Sequence, residues 1–243
     1  MGGRKSLPFI TYHFYMLRSL KGKYLENRWE ITLLLLISSL FATSLEFLRI
    51  YLSGHHNYLY FIWNLFLAWI PYLLSMYLPV SFHVIKSRVF VYLLLLIWFL
   101  FWPNSPYILT DLLHLKEKQK IPLWFDLGLI LSFAWTGLML GFISLIEIQN
   151  LVRKRTNRAV AWIFAIITIL TGSLGIYVGR YVRLNSWDIV ANPVRVYADI
   201  FEHFNDRMMR AEMIVMTLQY GAFLFIGYLT VKIIIKIPDR MAL

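Results

Sequence analysis

Polar side chains that could do chemistry are concentrated in two stretches of an otherwise apolar chain. The first stretch, PNSPYILTDLLHL, covers residues 103–115, and the second, GRYVRLNSWD, covers residues 179–188. Together they supply the seven candidate site residues: Asn104, Asp111, His114, Arg180, Arg183, Asn185 and Asp188. Carboxylates with a histidine suit a divalent metal or acid–base catalysis, whereas paired arginines suit a phosphate or carboxylate.

The residue types therefore suggest two roles within this candidate site. Asp111, His114 and Asp188 are the candidates for catalysis or metal ligation, and the two arginines with the two asparagines are the candidates for anion binding. The sequence lacks a fixed metal motif, a glycine-rich phosphate loop and a nucleophile elbow, so it identifies no metal or cofactor. A structural alternative stays open, in which Asp111 pairs with Arg180, or Asp188 with Arg183, to hold loops together.

The elements that must position these residues are membrane helices. The chain has 243 residues, of which 59% are hydrophobic, and its mean hydropathy is +0.62. Soluble domains are nearer half apolar and lack repeated apolar runs of about 20 residues. We predict an all-α, polytopic membrane protein whose six spans share one domain, residues 31–237, between a basic cytoplasmic or interfacial segment, 1–30, and a cytoplasmic tail, 238–243. Since the chain has no cysteine, disulfides and thiolate chemistry are excluded.

The third predicted span is broken where the first polar stretch begins. An apolar run of fourteen residues, 89–102, is shorter than the roughly 20 residues that a membrane helix needs. It ends at Pro103, and Pro106 follows three residues later, so two amide donors are missing. We predict a discontinuous element in which residues 104–107 are non-helical or kinked. Irregular backbone at this depth needs protein or a wet cavity to satisfy it.

The charge distribution predicts the orientation in the membrane. If both termini are cytoplasmic, the inner segments, which include residues 81–88 and 147–158, carry the entire net charge of +11. The outer half of the chain is then neutral, as the positive-inside rule expects. This explanation of the basic residues leaves no clustered basic groove for nucleic acid. It also predicts that all seven candidate site residues lie on the extracytoplasmic side.

Four other patterns concern the packing and placement of the helices. Glu46 and Arg49 are three residues apart in the first span, close enough on one helix face to pair. Asp126 in the first turn of the fourth span complements the helix dipole and needs no other role. Gly137 and Gly141 form a small-xxx-small pair that favours close helix packing. Residues 194–204 have amphipathic helical spacing and are expected to lie over the polar pocket or along the interface.

The stretches FLFWPNSPYILTDLLHL and GIYVGRYVRLNSWD resemble the two signature regions of a bacterial membrane family, the domain of unknown function 1361 family. The similar spacing covers about residues 30–235. The resemblance implies a polytopic protein of the bacterial plasma membrane. It transfers no catalytic residue to this chain.

Three function classes remain open on the sequence. The preferred one is an envelope binding or scaffold protein whose partners are the lipid bilayer and an anionic or lipid-linked ligand. The second is a membrane-embedded enzyme, with or without a metal, that acts on a phosphorylated or lipid-linked substrate. A small transporter ranks last, because the inner halves of the spans are almost purely apolar and no inverted repeat is visible. The oligomeric state and the protein partners cannot be read from this sequence.

Overall fold

The computed structural model describes residues 9–56, 58–84, 88–115, 121–184 and 188–241. Within these ranges the chain is helical and contains no β-strand. The elements in chain order are α1 (Phe9–Ser53), α2 (Tyr60–Val84), α3 (Arg88–Phe101), α4 (Asn104–Tyr107), a 3-10 helix (Ile108–His114), α5 (Leu123–Arg155), α6 (Arg158–Tyr177), a π-helical turn (Val178–Val182), α7 (Asp188–Ala191), α8 (Pro193–Asn205) and α9 (Arg207–Met241).

The predicted all-α fold with six candidate spans is confirmed. Six helical segments of the described residues are long and apolar enough to cross a membrane: Arg28–Ser53, Tyr60–Pro79, Arg88–Leu113, Leu123–Arg155, Arg158–Val182 and Arg207–Ile235. Helix α5 is central, since it contacts α1, α2, α4, α6 and α9. Many large apolar side chains on the outer helices are exposed, as expected for helices that face lipid. Helix α1 begins at Phe9 and continues without a break into the first span.

Two ion pairs between α1 and α5 define the two ends of the bundle. Arg49 binds Asp126 near the end of α1 and the start of α5, and Arg28 binds Glu147 near their opposite ends. The two helices are therefore antiparallel. We call the end that contains Arg49 and Asp126 the polar end, and the end that contains Arg28 and Glu147 the basic end.

The third span is discontinuous, as predicted, but its second half is more helical than expected. Helix α3 ends at Phe101, a turn follows at Trp102 and Pro103, and residues 104–107 form one α-helical turn rather than a non-helical link. Of the two predicted alternatives for these residues, non-helical or kinked, the non-helical one was wrong because Pro106 falls in the first turn of the new helix. Backbone N–H groups in a first turn have no helical acceptor, so a proline there removes no hydrogen bond. Pro103 itself keeps helical dihedral angles, φ −59° and ψ −25°.

Glycines on α5 let the broken span approach closely. A Cβ atom at Gly137 would lie 2.6 Å from the carbonyl oxygen of Ser105, and one at Gly141 would lie 2.9 Å from the Ser105 Cβ. The Trp102 indole N–H donates to the carbonyl oxygen of Gly141 at 3.0 Å. The predicted small-xxx-small contact is therefore real, and its partner is α4. This packing fixes the depth of the 3-10 helix that follows.

Candidate functional site

A buried ion pair joins the two polar stretches of the sequence. Arg180 donates from Nη2 to Asp111 Oδ1 at 2.7 Å, and the Arg180 and Asp111 side chains are 11% and 1% exposed. Arg180 also donates from Nε and Nη2 to Thr110 Oγ1, at 3.2 and 2.6 Å. Its guanidinium carbon lies 4.8 Å from the centroid of the Tyr107 ring. Asn64 donates to the second oxygen of Asp111 at 3.4 Å, so both carboxylate oxygens accept hydrogen bonds.

Two irregular helical turns place the partners of this ion pair. The 3-10 helix after the break presents Thr110 and Asp111, and the Thr110 hydroxyl donates to the Tyr107 carbonyl at 2.7 Å. The other partner, Arg180, lies in the π-helical turn that ends α6. Residue Arg183 then terminates this turn in the left-handed conformation, with φ 60° and ψ 35°. Single π-helical turns are rare in proteins, and those that occur often lie at functional sites.

The ion pair lies in the wall of a cavity of about 480 Å³ at the polar end, which we call the polar-end cavity. Its polar lining includes Tyr60, Asn64, Asn104, Asp111 and Arg180. Much of the remaining wall is apolar and comes from α2, α3, α6 and α8. Cavities of roughly 300–1,000 Å³ with apolar walls and a few placed polar groups are typical of small-molecule sites.

Helix α8 forms one wall of the polar-end cavity. Val196 and Ile200 line the cavity, in agreement with the expectation that the amphipathic segment lies over the pocket. Tyr197 and Phe201 stack on each other with ring centroids 5.7 Å apart, and both rings are exposed. Exposed aromatic residues on an amphipathic helix are typical of a helix in the membrane interface. The cavity wall is therefore built in part by an element at the bundle surface.

Some of the predicted site residues line the polar-end cavity together, and others lie outside its lining. Asn104, Asp111 and Arg180 line the same cavity, and the Asn104 amide donates to the Phe101 carbonyl at 3.0 Å, at the end of α3. Arg183 is exposed and does not line the cavity. Asp188 begins α7 and is partly buried, also outside the cavity lining.

Two predicted residues lie partly or wholly outside the described part of the structure. The backbone of His114 ends the 3-10 helix, but its side chain is outside the described residues, as is the whole of Asn185. Among the side chains that are described, no three histidine, aspartate or glutamate residues come together in a way that could hold a metal ion. The described residues therefore supply an ion pair in a cavity rather than a metal centre.

A second buried polar group lies beside the first and was not predicted as a unit. Arg49 donates to Asp126 from Nε at 2.7 Å and from Nη2 at 3.2 Å, and both side chains are 1% exposed. Glu46 is buried close enough to stabilise the charged guanidinium. The Tyr58 ring lies 4.1 Å from the guanidinium carbon. Burial raises the pKa of the Tyr58 phenol, and the charge of Asp126 adds to this, so the phenol stays neutral at physiological pH.

Sequence reasoning missed several cavity or ion-pair residues, among them Tyr60, Asn64 and Thr110. Asn64 carried a usable signal, because an amide inside an apolar span needs a hydrogen-bond partner. Thr110 carried none, since threonine hydroxyls commonly bond within their own helix. Tyr60 resembles the many interfacial aromatic residues of this chain, and only the fold distinguishes it.

Comparison with known proteins gives a family. The model of a protein family described as a protein of unknown function (DUF1361) matches residues 63–233. No curated protein and no solved structure matches the chain. The matched residues include the broken third span, the π-helical turn and every polar residue that lines the cavity except Tyr60. Because the match covers well over half of the sequence, the chain belongs to the DUF1361 family.

Proposed function

We propose that this protein is a binding protein of the bacterial plasma membrane whose polar-end cavity takes a lipid with a zwitterionic headgroup. The observation that carries the proposal is the cavity itself, about 480 Å³ of space with a charged, hydrogen-bonding corner and apolar walls. In this proposal both termini are cytoplasmic and the polar end faces outward, as the charge distribution predicts.

The headgroup chemistry follows from the ion pair. Asp111 Oδ1 lies 2.7 Å from Arg180 Nη2 and neutralises its charge. This corner of the cavity therefore presents opposite charges side by side rather than a net positive charge. A zwitterion matches this arrangement, because its cationic group can approach the carboxylate while its phosphate approaches the guanidinium. Amide and phenol groups from Asn64, Asn104 and Tyr60 add hydrogen-bonding capacity in the same cavity. A single phosphate without a cation would match it less well.

The apolar wall suits an acyl chain. Leu174 on α6 and Ile200 on α8 both line the cavity and are partly exposed, 37% and 36%. Apolar side chains between a cavity and the bundle surface provide a route by which a lipid tail can remain in contact with the bilayer. Binding is favoured over catalysis because the internal hydrogen bonds of Asp111 and Arg180 already engage both carboxylate oxygens and two guanidinium nitrogens.

A cavity-filling substitution tests this proposal. Leu174→Trp adds an indole to the cavity wall, whereas Ile167→Trp places the same indole seven residues earlier on α6, at an exposed position that does not line the cavity. Native mass spectrometry of the full chain, delipidated and then titrated with phosphatidylethanolamine, measures the bound fraction. We expect Leu174→Trp to weaken binding about tenfold, or ~1.4 kcal/mol, and Ile167→Trp to bind like the wild type.

The same titration distinguishes binding of the lipid in the cavity from nonspecific association with the protein surface. If both tryptophan variants bind phosphatidylethanolamine like the wild type, the cavity is not the site and the proposal fails. A wild type that shows no one-to-one complex with phosphatidylethanolamine would also contradict it.

A further inference from the structure

A second, smaller cavity lies at the basic end, far along the helices from the polar-end cavity. It has a volume of about 190 Å³ and lies between α5, α6 and α9; we call it the basic-end cavity. Three of the residues that line it are cationic, Arg153, Arg158 and Lys232, one from each helix. From this convergence we infer that the basic-end cavity is a binding site for a phosphate-bearing anion.

The buried lysine is held in place by a chain of hydrogen bonds. Lys232 Nζ donates to Tyr228 Oη at 3.0 Å, and the Tyr228 hydroxyl donates to Gln149 Oε1 at 2.5 Å. Gln149 in turn donates to the carbonyl oxygen of Ala161 on α6 at 3.2 Å. The Trp162 ring lies beside the ammonium, with its centroid 4.1 Å from Nζ. The position of this charge is therefore fixed by three helices.

The positive-inside rule alone does not account for this arrangement. That rule requires basic residues at one end of the spans, and exposed side chains that reach the headgroups satisfy it. Lys232 is only 9% exposed and faces the cavity that the two arginines also line. Of the described residues that line this cavity, none is acidic. The basic-end cavity therefore concentrates positive charge.

The residue types and the size of the cavity select the ligand chemistry. An arginine guanidinium can donate two parallel hydrogen bonds to two oxygens of a phosphate, and a lysine ammonium adds a compact positive charge. A space of about 190 Å³ is large enough for a phosphate group. The start of α6 contributes Arg158, Ala161 and Trp162 to the lining, so the positive end of that helix also faces the site. Basic pockets between membrane helices on the cytoplasmic side commonly bind anionic lipid headgroups.

Adjacent residues provide a matched pair of variants. Arg153 and Lys154 are both exposed and lie side by side at the end of α5, but only Arg153 lines the cavity. Arg153→Gln and Lys154→Gln therefore remove the same charge from the same end of the bundle. The full chain is titrated with phosphatidylglycerol by native mass spectrometry, and separately with inorganic phosphate while thermal unfolding is followed in detergent.

We expect Arg153→Gln to weaken phosphatidylglycerol binding about tenfold and Lys154→Gln to leave it unchanged. That result supports the site and assigns the phosphate to a lipid headgroup. If inorganic phosphate instead stabilises the wild type and Lys154→Gln but not Arg153→Gln, the site is supported with a soluble anion as its ligand. The inference is overturned if the two variants respond equally to both probes, or if neither probe binds the wild type.

Discussion

The two buried ion pairs at the polar end differ in their access to water, and this difference predicts two unequal losses of stability. Asp126→Asn and Asp111→Asn each replace a carboxylate by an amide of nearly the same volume. Each change removes the carboxylate that accepts hydrogen bonds from one guanidinium, that of Arg49 or that of Arg180. We predict that Asp126→Asn lowers the free energy of unfolding more than Asp111→Asn does.

The magnitudes follow from the surroundings of each arginine. Arg49 is 1% exposed and makes two hydrogen bonds to Asp126, so water cannot replace the lost carboxylate and the loss is about 3–5 kcal/mol. Arg180 is 11% exposed, borders the polar-end cavity and keeps its bonds to Thr110. Water in the cavity can solvate it, so the loss is that of one charged hydrogen bond, about 1.5–3 kcal/mol.

Equilibrium unfolding in mixed micelles of dodecyl maltoside and sodium dodecyl sulfate, followed by circular dichroism, measures both losses. The double variants Asp126→Asn with Arg49→Gln and Asp111→Asn with Arg180→Gln serve as controls, since neutralising the remaining arginine recovers part of the loss at a buried pair. A loss for Asp111→Asn equal to or greater than that for Asp126→Asn would refute the reasoning. It would mean that the polar-end cavity gives Arg180 no access to water.

Three other measurements test the fold. Cysteines introduced at Lys118 and Arg155 into this cysteine-free chain are expected to react with an impermeant reagent from opposite sides of the membrane, and labelling from one side would exclude six spans. Gly137→Ala is expected to destabilise by about 1–3 kcal/mol because its Cβ meets a backbone oxygen, whereas Gly128→Ala, with open space around its Cβ, is expected to be neutral or stabilising; equal effects would contradict the close packing. The buried Trp98 indole N–H donates to Ser144 Oγ at 2.6 Å, and Ser144→Ala removes this acceptor. The change is expected to lower the free energy of unfolding by about 1–3 kcal/mol. An unchanged unfolding curve would count against this hydrogen bond.

The sequence predicts the six spans and the break in the third because both depend on local properties. Apolar length determines whether a segment can cross a bilayer, and a proline removes a donor wherever it falls. The pairing of Asp111 with Arg180 was one of two possible ion pairs that the sequence suggested, because a charge in a membrane needs a partner. What remained open was whether Asp188 and Arg183 would pair in the same way.

Other features of the site depend on contacts that local patterns do not encode. Arg180 and Arg183 would share a helix face at the ordinary helical spacing, but the π-helical turn and the left-handed conformation of Arg183 change that spacing. Arg49 has Glu46 three residues before it, yet its hydrogen-bonded partner is Asp126, 77 residues away. Only the packing of α1 against α5 determines that choice.

The central claim, that the polar-end cavity binds a lipid with a zwitterionic headgroup, is tested most directly by a crystal structure of the full chain grown from a phosphatidylethanolamine-containing lipid mesophase. The account predicts electron density for one lipid in the cavity, with its phosphate within hydrogen-bond distance of Arg180, its ammonium near Asp111 and an acyl chain against Leu174. A cavity that contains only ordered water in such crystals would contradict it.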